Sequence, residues 1–365
     1  MRQLGEGMPR AAVGALMILY CLGIWLALDF AYSNLTWSES PRVANPVFHH
    51  TLAANFDGYD EWGDFRHKLI TSNLGFKDAV VRDVPLTPST RRIVLIGDSF
   101  TEAVGMTFAD SFAGMLHAAG QASAAKIEFL NAGVSGYSPT LYYQKIKHFL
   151  DKGLRFDELV VLPDMSDVAD EAARYFCIDD DPTYRGFCET DDPEPATRKT
   201  RGDELAGRFP MTDLIRGRTK DALLNWKYGT KDRTLDYSYL DGWALPGWNA
   251  DPQFEPLGIE GGIARSLRRM QDLADLLKAH EIPLVVVVFP RPPQIAHDDR
   301  SNRQIDMYRD FCARNCKLFI DLFPLFFEAA SAHPDWQVRY FISGDYHYSA
   351  EGNRLMFQGL AKHLL

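Results

Sequence analysis

The stretch that decides the fold is IVLIGDSFTEA, residues 93–103. The β-branched run 93–96 predicts a buried strand, and Gly97 and Asp98 after it predict a tight turn. The same order of strand, turn and helix continues toward the C-terminus, and the further predicted strands are 127–130, 158–162, 284–289 and 317–322. Strands that alternate with helices indicate a parallel sheet with helices on both faces. We therefore expect an α/β domain with a five-stranded parallel sheet.

Helices between the strands are predicted from apolar residues at helical spacing and from residues that favour helix ends. Asp110 is the expected N-cap of the first helix, and Gly120 the residue that ends it. Ser138 and Pro139 begin the next helix, which Gly153 ends. The remaining predicted helices are 263–277, 302–314 and a C-terminal helix through Leu355 and Leu364.

Composition and charge exclude several classes of protein. The chain has 365 residues, of which 46% are hydrophobic and 12% aromatic, so it is long enough for about two domains and too apolar to be disordered. Its net charge of -10 repels phosphate backbones, so we expect no nucleic-acid partner. The sequence contains no GxGxxG, Walker or HExxH motif, and we accordingly expect no cofactor and no metal.

An uncharged apolar stretch, residues 11–28, lies near the N-terminus. At 1.5 Å per residue, a helix of this length spans about 27 Å, close to the hydrocarbon thickness of a bilayer. We interpret it as a transmembrane anchor; a cleaved signal peptide and a buried soluble helix are the alternatives. Arg2 and Arg10 precede the stretch and favour a cytoplasmic N-terminus, so the chain from about residue 31 onward is expected outside the cytoplasm.

These patterns divide the chain into three predicted parts. Residues 1–30 are the predicted cytoplasmic tip and anchor, and residues 31–91 are expected to be an irregular segment that packs on the α/β domain. Residues 92–365 are expected to form that domain. An insertion at about 170–261, rich in Asp, Trp, Tyr and Pro, interrupts its regular alternation.

Four of the five cysteines form two close pairs, Cys177 with Cys188 and Cys312 with Cys316. In an oxidising compartment, two short disulfides account for all four. Free buried thiols and a zinc site are the alternatives, although neither pair has the C-x-x-C spacing and no histidine cluster accompanies them. The fifth cysteine, Cys21, lies in the apolar stretch.

Three polar residues are arranged as nucleophilic catalysis requires. Ser99 follows the first predicted strand in a turn toward a helix, where free backbone N–H groups can stabilise an oxyanion. Asp345 and His347 are two residues apart, so in an extended segment they project to the same side. The carboxylate can then orient the imidazole, whose other nitrogen accepts the serine proton. The sequence therefore predicts a triad of Ser99, His347 and Asp345 beyond the carboxyl ends of the strands.

Two motifs, GDSFTEA at 97–103 and GDYHYSAEGN at 344–353, resemble those of the SGNH subset of the GDSL-type hydrolases. The resemblance spans the chain from Arg91 to the C-terminus, apart from the insertion. It implies a flavodoxin-like three-layer α/β/α sandwich and acyl-ester hydrolysis without a cofactor. The roles that it implies are nucleophile for Ser99, general base for His347 and orienting carboxylate for Asp345.

The resemblance also implies an oxyanion hole, whose donors in this sequence are Ser99, Gly133 and Ser166. The family's second motif resembles NAGVSG at 131–136, in which the backbone N–H of Gly133 is the donor. The third motif, Gly-x-Asn-Asp, falls on DMSD at 164–167. There Asp164 replaces the Gly, and Ser166 replaces the Asn that normally donates to the oxyanion. The hydroxyl of Ser166 can take the place of that amide if its loop comes closer. The alternative is a structural role, in which the side chain hydrogen-bonds the backbone of its own loop.

The apolar anchor, the exported domain and the segment SNLGF at 72–76 resemble bacterial envelope members of the family. These include proteins similar to those that acetylate exopolysaccharides. The resemblance implies a membrane-anchored serine esterase on the periplasmic side of a bacterial inner membrane, acting on acyl esters and in particular on O-acetyl groups of a glycan. The expected partners are an acylated carbohydrate or small ester and, through residues 11–28, the membrane.

The residues leave other functions open. Water or a sugar hydroxyl can resolve an acyl-enzyme, so an O-acyltransferase of an envelope or exported polysaccharide is one alternative. A non-catalytic glycan-binding or assembly protein and a lipid-active esterase are further alternatives. The tryptophans of the insertion are candidates either for stacking on sugar rings or for packing in a core: Trp226, Trp243 and Trp248.

Overall fold

The computed structural model describes residues 10–36, 41–62, 65–178, 254–298, 300 and 302–365, and the single positions 209, 211, 212, 215 and 219. The chain divides into two compact units. One comprises Met1–Glu39 and Glu189–Arg233, and the other Ser40–Cys188 and Thr234–Leu365. The second unit contains the three predicted triad residues. Trp226, Trp243 and Trp248 lie outside the described residues.

The first unit contains an apolar helix, α1, Arg10–Thr36. Its segment Ala12–Tyr32 has a mean hydropathy of 2.0 and is long and apolar enough to cross a membrane, a test that a signal sequence also passes. The carboxylate of Asp29 in this helix is buried and accepts hydrogen bonds from the backbone N–H groups of Met211 at 2.9 Å and Thr212 at 2.7 Å. Residues of the insertion therefore contact α1 within this unit.

The segment 31–91, expected to be irregular, begins with the end of α1 and then forms two antiparallel hairpins. Strands β1 (Arg42–Asn45) and β2 (His49–Leu52) form the first, and β3 (Asp57–Trp62) and β4 (Phe65–Ile70) form the second. The prediction was wrong here because these strands are short and carry polar residues on most positions, so they lack an alternating apolar signal.

The second unit contains the predicted five-stranded sheet. Its strands are β5 (Arg92–Gly97), β6 (Glu128–Asn131), β7 (Glu158–Leu162), β8 (Leu284–Val288) and β9 (Leu318–Asp321). All neighbours are parallel, in the order β6-β5-β7-β8-β9. Counted along the chain, this order is 2-1-3-4-5, which is the flavodoxin-like order. The fold class predicted from the sequence is confirmed.

Helices cover both faces of this sheet. The helices are α2 (Ser99–Glu102), α3 (Phe112–Ala122), α4 (Pro139–Asp151), α5 (Asp167–Ala169), α6 (Gly258–Ala279), α7 (Pro292–Ala296), α8 (Arg303–Asn315), α9 (Phe323–Ala332), α10 (Trp336–Tyr340) and α11 (Ala350–Leu364), with a π-helical turn at Asp170–Arg174. Helix α3 packs against α11, and α4 packs against α6. The central strands β5, β7 and β8 are buried along their whole length, which explains their continuous apolar sequences.

The ends of α3 differ from the prediction. Ser111, not Asp110, is its N-cap, and its hydroxyl accepts a hydrogen bond from the N–H of Gly114 at 3.0 Å. The carboxylate of Asp110 instead accepts a hydrogen bond from the Thr107 hydroxyl at 2.7 Å. The helix continues past Gly120, where a Cβ atom would meet the carbonyl oxygen of Ile127 at 2.5 Å. This glycine permits close packing of the helix on the following strand, so it marks a contact and not the end of the helix.

A disulfide joins Cys312 and Cys316, at the C-terminal end of α8, as predicted. Cys21 is a free cysteine on α1. Cys177 lies near the end of a described segment, whereas its expected partner Cys188 lies outside the described residues. The bridge between Cys177 and Cys188 therefore stays a prediction.

Candidate active site

Ser99 lies directly after the first strand of the parallel sheet, at the start of α2. The strand ends at Gly97, where a Cβ atom would meet the carbonyl oxygen of Leu162 at 2.8 Å, so only glycine fits between the strands at this turn. Asp98 is the N-cap of α2, and its carboxylate accepts the N–H of Phe100 at 2.9 Å. The N–H of Ser99 belongs to the first turn, where helix N–H groups have no partner within the helix.

The structure brings the three predicted triad side chains together. The Nε2 atom of His347 lies 2.7 Å from the Oγ atom of Ser99, and its Nδ1 atom lies 2.6 Å from the Oδ1 atom of Asp345. The same carboxylate oxygen accepts the backbone N–H of His347 at 2.9 Å. Serine and histidine are 248 positions apart in the chain, so the fold creates this contact.

The pKa values of the pair suit a neutral imidazole beside a carboxylate. Burial lowers the pKa of His347 from its ordinary value, although its hydrogen bond to Asp345 acts in the opposite direction. Burial alone would raise the pKa of Asp345, but hydrogen bonds and charge from His347 and a hydrogen bond from Trp62 outweigh it and lower the pKa to about 2. At neutral pH, His347 is therefore ready to accept a proton on Nε2.

Trp62 is a site residue that the sequence analysis missed. It ends β3, and its indole N–H donates to the Oδ2 atom of Asp345 at 2.7 Å. Its ring also lies edge-on to the ring of His347, with centroids 4.9 Å apart. No motif marks this residue, since it belongs to the segment that was expected to be irregular.

Gly133 lies against α2, close to the nucleophile. A Cβ atom at Gly133 would meet the backbone nitrogen of Glu102 and the Cβ atom of Thr101, both at 2.7 Å, so no larger residue fits. Its N–H donates to the Oδ1 atom of Asn131 at 3.0 Å, and the amide of Asn131 donates to the carbonyl of Thr101 at 2.8 Å. The predicted oxyanion donor is thus near the expected place, with its N–H engaged by a neighbouring side chain.

Ser166 is engaged differently from the prediction. Its hydroxyl donates to the Oδ2 atom of Asp164 at 2.6 Å and accepts a hydrogen bond from the Nη2 atom of Arg291 at 2.8 Å. Arg291 in turn forms a buried ion pair with Asp164, in which Nε donates to Oδ1 at 2.9 Å. In this arrangement the Ser166 hydroxyl donates its hydrogen bond to Asp164, so it does not donate to an oxyanion. The physical reason is the carboxylate at position 164, which is a strong acceptor for that hydrogen bond.

Three buried carboxylates, Asp98, Asp164 and Asp167, lie together with one oxygen of each within 4.8 Å of the others. The Oδ2 atom of Asp98 lies 3.4 Å from the hydroxyl of Ser99. Burial and mutual repulsion raise the pKa of Asp98 and Asp167 well above the ordinary value, whereas the charge of Arg291 outweighs burial at Asp164 and lowers its pKa. A raised pKa favours the neutral, protonated forms of Asp98 and Asp167, which do not repel Asp164. Within the described part of the chain, this is the group whose oxygens are close enough to share a hard cation.

No family model matches the chain, and no curated protein matches it. Among solved structures, it is similar to a catalytic mutant of an acetylxylan esterase from Geobacillus stearothermophilus, with a TM-score of 0.41 and 10% identity over 77% of this chain and 96% of the other.

Two further solved structures are similar to this chain. One is a member of the lipolytic G-D-S-L family from Veillonella parvula, with a TM-score of 0.40 and 12% identity over 75% of this chain and 98% of the other. The second is an α/β hydrolase from the metagenome of Lake Arreo in Spain, with a TM-score of 0.40 and 13% identity over 76% and 96%. At these values the matches assign no role to any residue of this chain.

Proposed function

We propose that this chain is a serine esterase of the SGNH group. The observation that carries the proposal is the hydrogen-bonded series from Ser99 Oγ through His347 to Asp345 Oδ1, with contacts of 2.7 and 2.6 Å. It lies directly beyond the carboxyl end of a parallel strand, where open α/β sheets carry their active sites. A nucleophile, a neutral base and an orienting carboxylate are the three groups that acyl transfer through a serine requires.

In the proposed reaction, the Oγ atom of Ser99 attacks the ester carbonyl while His347 Nε2 takes its proton. The C–O bond to the alcohol then breaks, and the imidazolium returns the proton to the leaving oxygen. A water molecule next gives a proton to Nε2 and attacks the acyl-serine. The acyl–Oγ bond then breaks, the acid is released, and the imidazolium returns the proton to Oγ, which restores the Ser99 hydroxyl. Asp345 stays ionised throughout and stabilises the imidazolium that forms in each half.

The oxyanion is held by backbone N–H groups in this proposal. The N–H of Ser99, in the first turn of α2, is one donor. The N–H of Gly133 is the second, and it exchanges its bond to Asn131 for one to the oxyanion as the negative charge develops. Ser166 is not needed for this step.

We propose O-acetyl groups of an envelope glycan as the substrate and the membrane as the place of action. Support comes from the resemblance of the anchor and of SNLGF at 72–76 to envelope members, and from the length and apolar character of Ala12–Tyr32. In the transferase alternative, a sugar hydroxyl replaces water in the second half of the reaction. The sugar hydroxyl gives its proton to His347 Nε2 as its oxygen attacks the acyl-serine. The acyl–Oγ bond then breaks as the new sugar ester forms, and the imidazolium returns the proton to Ser99 Oγ.

The experiment is a substrate screen on the full chain purified in detergent, with Ser99→Ala as the matched control. Aryl acetates test for esterase activity, and acetylated glycans are compared with phospholipid vesicles. We expect turnover of aryl acetates and of acetylated glycans that Ser99→Ala abolishes. Equal rates for the wild type and Ser99→Ala would refute the esterase. Activity on phospholipid alone would show that the substrate is a lipid and not a glycan. Formation of a sugar ester when an unacetylated glycan is added with the aryl acetate would identify a transferase.

A further inference from the structure

The side chain of Trp62 belongs to a hairpin outside the α/β core, yet it contacts two members of the triad. Its indole N–H donates to Asp345 Oδ2 at 2.7 Å, across 283 positions of sequence. The edge-on contact with His347, at 4.9 Å between centroids, places the same ring beside the general base. The side chain is half-buried, so its N–H bond is partly shielded from water.

The hairpin is tied to the nucleophile helix. Arg42 donates to Asp60 of β3 at 2.6 Å, and its other terminal nitrogen forms an ion pair with Glu102 of α2. Glu102 is fully buried and also accepts the N–H of Ser135 at 2.7 Å, in the loop that carries Gly133. Through Arg42, the position of the hairpin is therefore coupled to both α2 and that loop.

The base of the hairpin is joined to the sheet as well. After β4 the chain reaches Lys77, whose N–H donates to the carbonyl of Asn131 at the end of β6 at 3.1 Å. The buried ammonium group of Lys77 donates to the carbonyls of Ala103 at 2.9 Å and Met106 at 2.7 Å, just after α2. With contacts at both ends, the hairpin can hold Trp62 at a fixed place relative to the triad.

A donor at Oδ2 has a defined chemical effect. The Oδ1 atom of Asp345 contacts both Nδ1 and the backbone N–H of His347, and a bond at the second oxygen adds a further constraint on the rotation of the carboxylate about its last side-chain bond. The orientation of the imidazole depends on that carboxylate. A misplaced base slows the chemical step, so it lowers kcat more than it changes KM. The bond also draws negative charge toward Oδ2, which tempers the basicity that Asp345 confers on His347.

We propose that Trp62 is a positioning residue of the active site, whose indole N–H fixes the Asp345 carboxylate for His347. The inference rests on the proposed serine-esterase function, which it deepens. The hairpin of β3 and β4 then contributes a residue to the active site. Without Trp62, the carboxylate loses its donor at Oδ2, and the imidazole is held less firmly toward Ser99.

The experiment replaces Trp62 by Phe and by Tyr, both of which keep an aromatic ring and remove the indole N–H. Tyr59→Phe is the matched control, because Tyr59 lies in the same strand with 47% of its surface exposed. We expect Trp62→Phe to lower kcat for an aryl acetate about tenfold while KM changes less than about twofold. The acid limb of the kcat/KM profile should move to higher pH, because a more basic Asp345 stabilises the imidazolium. Tyr59→Phe should resemble the wild type.

A double-mutant cycle shows whether Trp62 acts through the carboxylate. In an Asp345→Asn background, Trp62→Phe should have little further effect, since the two changes damage the same orientation. An unchanged kcat and acid limb in Trp62→Phe, a change in KM alone, or an equally large effect in the Asp345→Asn background would each overturn the proposal. Melting curves by circular dichroism identify a variant that fails to fold, and Trp62→Leu, which also lacks a side-chain donor, then takes its place.

Proton NMR separates this inference from the esterase proposal. The Nδ1 proton of a histidine bonded to a carboxylate gives a far-downfield signal, which His347→Ala should remove. Trp62→Phe should shift or broaden this signal, and Tyr59→Phe should not. If the wild type shows no Ser99-dependent turnover, the esterase proposal fails while this signal still decides the role of Trp62. An unaltered signal in Trp62→Phe would contradict the positioning role.

Discussion

Arg291 and Asp164 form a buried ion pair between the loops that follow two neighbouring strands, β7 and β8. The guanidinium contacts both carboxylate oxygens, and side-chain exposure is 2% for Arg291 and 0% for Asp164. The hydroxyl of Ser166 is hydrogen-bonded to both partners. The charge of the buried Asp164 carboxylate requires a cation beside it, and Arg291 supplies that cation.

Ser166→Ala should therefore lower stability and leave the chemistry largely intact. Loss of the hydroxyl removes hydrogen bonds to two charged groups, and we expect a loss of about 1–3 kcal/mol in the free energy of unfolding. Turnover per folded molecule should stay within about threefold of the wild type. Thermal unfolding and active-site titration measure the two effects. A hundredfold fall in rate at unchanged stability would instead show that the hydroxyl acts as an oxyanion donor.

Breaking the ion pair from one side should be much more damaging. Arg291→Met leaves an uncompensated carboxylate among three buried ones, and we expect a loss of about 3–5 kcal/mol. The double variant Arg291→Met, Asp164→Asn should recover much of this loss, because no charge is then left alone. Arg303→Met is the control, since its pair with Glu260 is exposed and worth at most about 1 kcal/mol. Equal losses in the single and double variants would argue against the pair.

The proposed triad predicts that activity depends on pH in a characteristic way. Histidine ordinarily titrates near pH 6.5, and burial lowers the pKa of His347. The base must be neutral, so kcat/KM for an aryl acetate should rise with pH to a plateau, with its acid limb centred below that ordinary value. An acid limb centred well above neutral pH would contradict this environment for His347.

Ser99→Ala and His347→Ala should each lower the turnover of an aryl acetate by several orders of magnitude.

The cysteines give a prediction that needs no substrate. Without reductant, alkylation of the denatured full chain should label Cys21 alone, since the bridge between Cys312 and Cys316 and the predicted bridge between Cys177 and Cys188 protect the others. Mass spectrometry counts the labels. Three labels would remove the bridge between Cys177 and Cys188, and labelling of Cys312 would contradict the structure. Cys312→Ser should cost at most about 2 kcal/mol, because the bridge closes a very short loop.

The sequence by itself determined the α/β class, and it singled out Ser99, Asp345 and His347, which the structure brings into hydrogen-bond contact. Central strands are buried on both faces, so each is a continuous apolar run that can be recognised from the local sequence alone. Strand β7, for example, lies at the predicted residues, Glu158–Leu162. Ser99 and the pair Asp345 and His347 belong to compact local motifs whose spacing carries their chemistry. Helix ends were less predictable, since at α3 both Asp110 and Ser111 are residue types that cap helices.

Only the tertiary structure decided what surrounds the triad. The hairpin of β3 and β4 has no alternating apolar pattern, and it is held by contacts such as that of Arg42 with Glu102, 60 positions apart. Trp62 meets Asp345 across 283 positions, and Ser166 meets Arg291 across 125. Local spacing cannot encode such contacts, because each hydrogen bond depends on where distant segments come to lie once the core has packed. The Ser166 hydroxyl was therefore assigned to the oxyanion from the motif, whereas the fold directs its proton to Asp164.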